Sequence, residues 1–400
     1  MKIATVMGAA LAAALAAAPA GAGDKTIKIG VLTDLTSFAS TSMGEGSVVA
    51  SQLAAKDFGG SVIGKKIEVI SADMQSKPDL AVQLATEWYD QDGVDVIVDV
   101  PASAAAITIQ RMAYEKHHLF VATVAATTDL TGKACTPTGV HWGLDTAADS
   151  RGPVNALTQE GVKSWFFIMP DFAVGKSLAE NGQAQVEKSG GKLLGTVYHP
   201  TNSTDYATYL LQAQQSGADA IAVGSIGLDL STLLKQAVEF GILPNSKQKL
   251  TAFLLALTDV NAVGLQTTAG VYVLSDFYWD QNDQTRAFSK AFFAIRNKEP
   301  NFTQAANYSG LMAYFTAVKE AGTNDPEKVV AKMREHPMDK FGEKAVLRPD
   351  GRVVSDVQLY QVKTPAESKY PWDYMKLVST IPGDQVFPSM ADEDCPLLKK

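Results

Sequence analysis

The sequence predicts an α/β protein built as two doubly wound lobes, each a largely parallel sheet covered by helices. Three observations predict it. Short, near-continuous apolar runs alternate with helical stretches, as parallel strands buried on both faces require. The alternation occurs in two series, separated by a Thr-, Gly- and Pro-rich break at residues 127–143. Beyond an N-terminal leader, roughly 380 residues remain, enough for two domains of ordinary size.

The leader comes first. Met1-Lys2-Ile3 is a short positive start, residues 4–18 form an alanine-rich apolar run, and Pro19-Ala20-Gly21-Ala22 supplies small residues before Gly23. This three-part pattern reads residues 1–22 as a secretory signal peptide, too short to span a bilayer. The expected location is the periplasm.

The first series then runs in order. "IKIGVL" (27–32) reads as a strand, and 46–58 as a helix stopped by Gly59-Gly60. "KIEVISAD" (66–73) is a second strand, followed by a helix over about 78–90 with proline in its first turn. "VDVIVDV" (94–100), a helix over about 103–116, and "LFVATV" (119–124) complete the series. The second series is "SWFFIM" (164–169), a helix from Gly175, "KLLGTVYH" (192–199), a helix from Asp205, "ADAIAVGS" (218–225) and a helix from Leu228. "GVYVLSDFYWD" (270–280) leads into helices over 284–297 and 305–321, and the chain from Lys363 reads as an irregular strap.

Composition narrows the function. Hydrophobic residues make up 46% of the chain, so packed cores are expected. The net charge is −8 with no basic stripe, which argues against nucleic acid. The two cysteines, Cys135 and Cys395, read as one disulfide in an oxidising compartment.

Chemistry is sparse. The five histidines lack metal-ligand spacing, and "VGSIG" (223–227) lacks the first glycine of a nucleophile elbow. "GEGSVV" (44–49) lacks the third glycine of a dinucleotide loop. No enzyme, cofactor or metal is expected. The strand ends carry the signal instead. "TDLTSFASTSMG" (33–44), "VPASAAA" (100–106) and "TVAATTDLT" (123–131) each leave a strand for a helix through Ser, Thr or Ala. Open parallel sheets bind ligands beyond the carboxyl ends of their strands. Helix first turns there offer free N–H groups to an anion, and Ser103 or Thr127 could add a hydroxyl. The competing reading is that these residues only cap their helices.

"IKIGVLTDLTSFAS", "KPDLAVQLATEW" (77–88), "TVAATTDLT", "HWGLDT" (141–146) and "DFYWDQNDQTRAFSK" (276–290) resemble the exported substrate-binding proteins of branched-chain amino acid ABC transporters, in the amino-acid and aromatic-acid branch. The resemblance spans nearly all of the mature chain. It implies a type I periplasmic binding fold, with two lobes joined by three crossovers around a ligand cleft. Carried over, lobe one is 24–144 plus 276–340, lobe two is 145–275 plus 341–390, and 391–400 is a tail. Ser103, Ala104, Ala125 and Thr127 would hold a ligand carboxylate, and Ser42 and Met43 would form a wall. Phe172, Val174 and Ile226 would close over the ligand from lobe two. The family's acid for a ligand ammonium falls in "FLLALTD" (253–259), where Asp259 stands, with Asp229 as an alternative. Its carboxylate-binding serine falls at Ala104, so Ser103 or bare amides must substitute. The implied partners are a small carboxylate, whether amino acid or aromatic acid, and an ABC permease in the inner membrane, the receptor itself being a monomer. A periplasmic ligand sensor of the same fold is the alternative.

Overall fold

The computed structural model describes residues 26–37, 40–244 and 247–398; the leader lies outside them. β1 (Thr26–Thr33), β2 (Ser61–Val62), β3 (Lys65–Asp73), β4 (Val96–Asp99), β5 (Leu119–Ala122) and β6 (Val140–His141) form a sheet of order β2-β3-β1-β4-β5-β6. It is parallel apart from β2. β1 shows why the sequence selects this arrangement. Ile27, Ile29, Val31 and Leu32 are all fully buried, on both faces of the sheet, so helices must cover each side. α1 (Gly44–Asp57), α2 (Pro78–Glu87) and α3 (Ser103–Glu115) do so.

The chain then crosses over. α4 (Thr146–Gln159) opens the second lobe, capped by the Asp145 carboxylate on Ala148 N–H at 2.8 Å. β7 (Ser164–Pro170), α5 (Ala173–Lys188), β8 (Lys192–His199), α6 (Ala207–Gln215), β9 (Ala220–Val223), α7 (Gly227–Glu239), β10 (Lys249–Ala252), α8 (Leu257–Val263), α9 (Leu265–Thr268) and β11 (Tyr272–Ser275) follow. After β11 the chain returns to the first lobe for α10 (Asp283–Arg296), α11 (Phe302–Ala321) and α12 (Pro326–Glu335). A small antiparallel sheet comes next, of β12 (Met338–Lys340), β13 (Glu343–Leu347) and β14 (Val353–Val354). A third crossing leads to β15 (Val357–Val362) and β16 (Met375–Ile381), which extend the second sheet to the order β16-β15-β11-β10-β9-β7-β8. The fold is therefore two α/β lobes joined by three crossings.

Several expectations need correction. Ala345, Leu347 and Val353 pack with Ile27, Val96 and Tyr314 in the first lobe's core, so residues 341–354 belong there and not to the second lobe. The chain from Lys363 is not an irregular strap throughout. β16 pairs antiparallel with β15, and Val386 and Phe387 join the second lobe's core. α4 has no counterpart in the sequence reading, because Gly152-Pro153 reads as a break, although the helix runs through it, and Asp149 and Ser150 are buried among its apolar residues.

Cys135 and Cys395 are bonded, with Cα atoms 5.6 Å apart across 260 residues of sequence. The disulfide fastens the C-terminal segment to the first lobe.

Candidate functional site: an interlobe cavity with uncapped helix starts

Between the lobes, beyond the carboxyl ends of both parallel sheets, lies a cavity of about 440 Å³. That falls within the ~300–1,000 Å³ of small-molecule sites. Among the described residues, seven helices begin on its wall: α1, α2, α3, α5, α7, α8 and α11. The N-cap residues Met43, Lys77, Ala102, Phe172, Ile226 and Ala256 supply no side-chain cap, whereas Asn301 caps α11 through the Thr303 and Gln304 N–H groups. Away from the wall, Asp145, Asn282 and Asp325 cap α4, α10 and α12, while α6 and α9 also start without a side-chain cap. Apart from the Gly44 N–H of α1, which goes to Thr33 Oγ1, and Pro78 of α2, which has none, the uncapped first turns leave backbone N–H groups for whatever occupies the cavity, and the helix dipoles favour an anion there.

Local packing sets these starts. A Cβ on Gly175 would stand 2.0 Å from the Pro170 carbonyl oxygen, so only glycine lets α5 begin this close to β7. The Ser42 carbonyl accepts from Asn301 Nδ2 at 2.9 Å and from Thr303 Oγ1 at 2.5 Å, which fixes the α1 turn against α11.

The structure brings together Ser42, Met43, Ser103, Ala104, Phe172, Val174, Ile226 and Asp259 on the cavity wall. Ser103 Oγ is buried and has no hydrogen-bond partner among the described residues, which leaves its hydroxyl free to donate into the cavity. Three expected residues are elsewhere. Ala125 is fully buried behind the wall, its carbonyl 2.7 Å from His141 Nε2, while Val124 and Ala126 on either side line the cavity. Thr127 caps the short turn Thr128–Leu130 by accepting from Asp129 N–H at 3.2 Å. Asp229 accepts from Asn202 N–H at 3.0 Å, away from the cavity. For Thr127 the capping alternative holds.

Asp259 lines the cavity and is 6% exposed. One of its oxygens accepts the Ala256 N–H at 3.0 Å, and among the described residues no cation is paired with it. Burial pushes its carboxyl up to about 6, against the pull of that N–H. Sequence reasoning missed Asp34, which lines the first lobe's side with its carboxylate accepting from Ser76 N–H and, at 2.7 Å, from Ser76 Oγ. It also missed Phe302 and Thr303, because α11 starts three residues before the point the periodicity marks. None of the described lining residues is Lys, Arg or His. Among the described lining residues, a bound carboxylate would find only amides and hydroxyls as donors, and a cation would find the carboxylates of Asp34 and Asp259.

Two crossed α/β lobes with a ligand-sized cavity at their strand ends define a solute-binding protein. The sequence profile of the periplasmic binding protein family matches residues 26–369, and the chain belongs to that family. It is 26% identical over 341 residues to an amino acid binding protein of Pseudomonas aeruginosa, covering 81% of this chain and 87% of that one. A periplasmic binding protein of Burkholderia mallei, solved by crystallography, is 40% identical and superposes with a TM-score of 0.87 over 94% of this chain and all of that one. A branched-chain amino acid ABC transporter periplasmic ligand-binding protein of Burkholderia xenovorans is 37% identical, with a TM-score of 0.88 over 93% of this chain and all of its own. The matched proteins are substrate-binding transport proteins, not enzymes. Among the described residues no helix is long and apolar enough to cross a membrane.

Proposed function

We propose that this protein is an exported receptor that binds an apolar α-amino acid between its lobes and delivers it to an ABC permease. The observation that carries the reading is the cavity's charge pattern. Uncapped helix starts and Ser103 favour a carboxylate, Asp259 favours an ammonium, and the wall between them is largely apolar. An aromatic acid without an ammonium would leave the Asp259 carboxylate unpaired in a buried site, at a cost of several kcal/mol. The amino-acid relatives support the same choice.

A thermal-shift screen over amino acids, their amides and aromatic acids tests the proposal. A ligand at 100 times its Kd stabilises the folded state by about 2.7 kcal/mol, a readily seen shift. Aliphatic or aromatic amino acids should raise the Tm. A response to benzoate-like acids alone would replace the amino acid as ligand. Cells lacking the chain should lose uptake of the ligand so identified and regain it with the wild type.

A further inference from the structure

Behind the first lobe's wall lies a buried polar network that the carboxylate cradle does not use. At its centre is Asp99, fully buried at the end of β4. Asp99 and Val100 both hold left-handed backbone, with φ of 76° and 57°, a conformation that β-branched residues rarely adopt. Pro101 and Ala102 then deliver the chain to Ser103 at the start of α3. The Asp99 N–H donates to Thr123 Oγ1 at 3.0 Å, and that hydroxyl donates to Asn307 Oδ1 at 2.8 Å. Asn307 Nδ2 lies 3.3 Å from Asp99 Oδ2 and 3.2 Å from the Thr303 carbonyl. Thr33 Oγ1 accepts the Gly44 N–H at 3.1 Å. Each arm reaches the cavity within a residue or two: Thr33 adjoins Asp34, Thr123 adjoins Val124, Asn307 binds Thr303, and Asp99 precedes Pro101 by two residues.

The network is incomplete. Asp99 Oδ1 and the Ser47 hydroxyl are buried without a hydrogen-bond partner of normal geometry. Toward Asp99, α1 presents Ser47, α11 presents Asn307, and the chain beyond β5 presents Thr123, all neutral. The end of β1 presents Thr33 and the carboxylate of Asp34, the charged group facing it. Burial first, and then Asp34, push the Asp99 carboxyl up to about 7, against the Ser47 and Thr33 hydroxyls and the Asn307 amide.

We propose that the protein takes up its ligand's carboxylate together with a proton, held on Asp99 behind the carboxylate cradle. The inference rests on the reading of the cavity as a carboxylate site. Four Cα–Cα steps separate Asp99 from Ser103, which limits their Cα separation to about 14 Å even when fully extended. A carboxylate arriving at the start of α3 therefore disfavours the ionised form of Asp99. The proton comes from water, and the neutral carboxyl relieves a buried ionised oxygen, Oδ1, that has no donor of normal geometry among the described residues. By linkage, the proton raises ligand affinity by the factor that the ligand raises proton affinity. Asp99 acts as a positioning residue; it does not touch the ligand.

Calorimetry of the full chain at pH 7.5, in two buffers of different ionisation enthalpy, counts the protons. The probe is the tightest binder among L-leucine, L-phenylalanine and benzoate. Asp259, at about 6, is mostly ionised at this pH and stays so beside a ligand ammonium; if benzoate is the probe, the count is repeated in Asp259→Asn. For a shift of about one unit on Asp99, uptake should be about 0.5 proton per ligand, and binding about four-fold tighter at pH 7 than at pH 8.5. Asp99→Asn, which keeps the shape and a donor toward Ser47, should abolish uptake and flatten the pH profile while binding no more weakly than wild type at pH 8.5. An infrared difference spectrum, ligand-bound minus free, should gain a protonated-carboxyl band in wild type that is absent from Asp99→Asn. Binding without proton uptake, or uptake that persists in Asp99→Asn, overturns the inference and leaves the carboxylate site standing. Failure of all three probes to bind overturns both.

Discussion

Arg352 Nη1 donates to Asp145 Oδ2 at 3.1 Å, and both residues are fully buried. The pair ties the end of the small sheet in the first lobe to the crossing that enters α4. The same guanidinium donates to the carbonyls of Gly143 and Val353 and lies 4.5 Å from the Phe387 ring. Asp149 is buried nearby, its carboxyl pushed well above the usual range by burial and then by Asp145 and Asp276. Removing one partner of a buried pair leaves the other uncompensated. Arg352→Met should therefore destabilise the fold by about 3–5 kcal/mol. Urea unfolding should show a lower midpoint with an unchanged slope; a change under 1 kcal/mol would mean that packing, not the ion pair, holds this crossing.

The disulfide adds a second constraint near that crossing. Closing 260 residues of chain is worth roughly 5 kcal/mol in the chain-entropy model, and less where the reduced chain keeps structure. Reduction, or the paired change Cys135→Ser and Cys395→Ser, should lower the Tm. Thiol labelling of the denatured, unreduced protein should find no free cysteine. Two reactive thiols per chain would remove the constraint from the account.

Asp259 carries opposite effects on stability and binding. Its folded-state carboxyl sits at about 6, above its ordinary value near 4, so the folded chain holds more protons than the unfolded chain between these pH values. Its contribution to stability is present at low pH and is lost as pH rises from about 4 to 6. At pH 7 the ionised, buried acid costs the empty protein about 2–3 kcal/mol. Asp259→Asn keeps an oxygen for the Ala256 N–H and should raise the Tm of the empty protein while weakening amino-acid binding. A variant with unchanged affinity would exclude Asp259 from the ammonium site.

Much of this was legible in the sequence. A parallel sheet places all its strand ends along one edge, so the turns at Ser42-Met43 and Ser103-Ala104 had to lie together once the β/α alternation was read. Hydroxyls were the misleading clue. Six of the seven helices that start on the cavity wall follow Met43, Lys77, Ala102, Phe172, Ile226 and Ala256, residues unable to cap, and their amides carry no sequence signature. Thr127 looked suitable because it can cap, and it does. Asp34 was invisible because its role depends on Ser76, 42 residues away. β15 and β16 were missed or underread because they are antiparallel additions late in the chain, outside the repeating pattern.

Thr127→Val follows from that correction. It should leave ligand affinity within error and cost about 0.5–1 kcal/mol of stability, the low end for a lost cap. Calorimetry and thermal unfolding of the same preparation read both. A ten-fold loss of affinity with the Tm unchanged would return Thr127 to the site.

The central claim is that helix starts hold a carboxylate while Asp259 holds an ammonium. Calorimetry at pH 7.5 tests it with one matched set: the amino acid selected by the screen, its amide, and its deaminated acid. The amide should bind about 100-fold more weakly, because hydrogen bonds to a charged group are worth about 1.5–3 kcal/mol and the amide forfeits that charge. The deaminated acid should also lose about 100-fold, and that loss should shrink to a few-fold in Asp259→Asn. Equal affinity for the amino acid and its amide would contradict the account at its root.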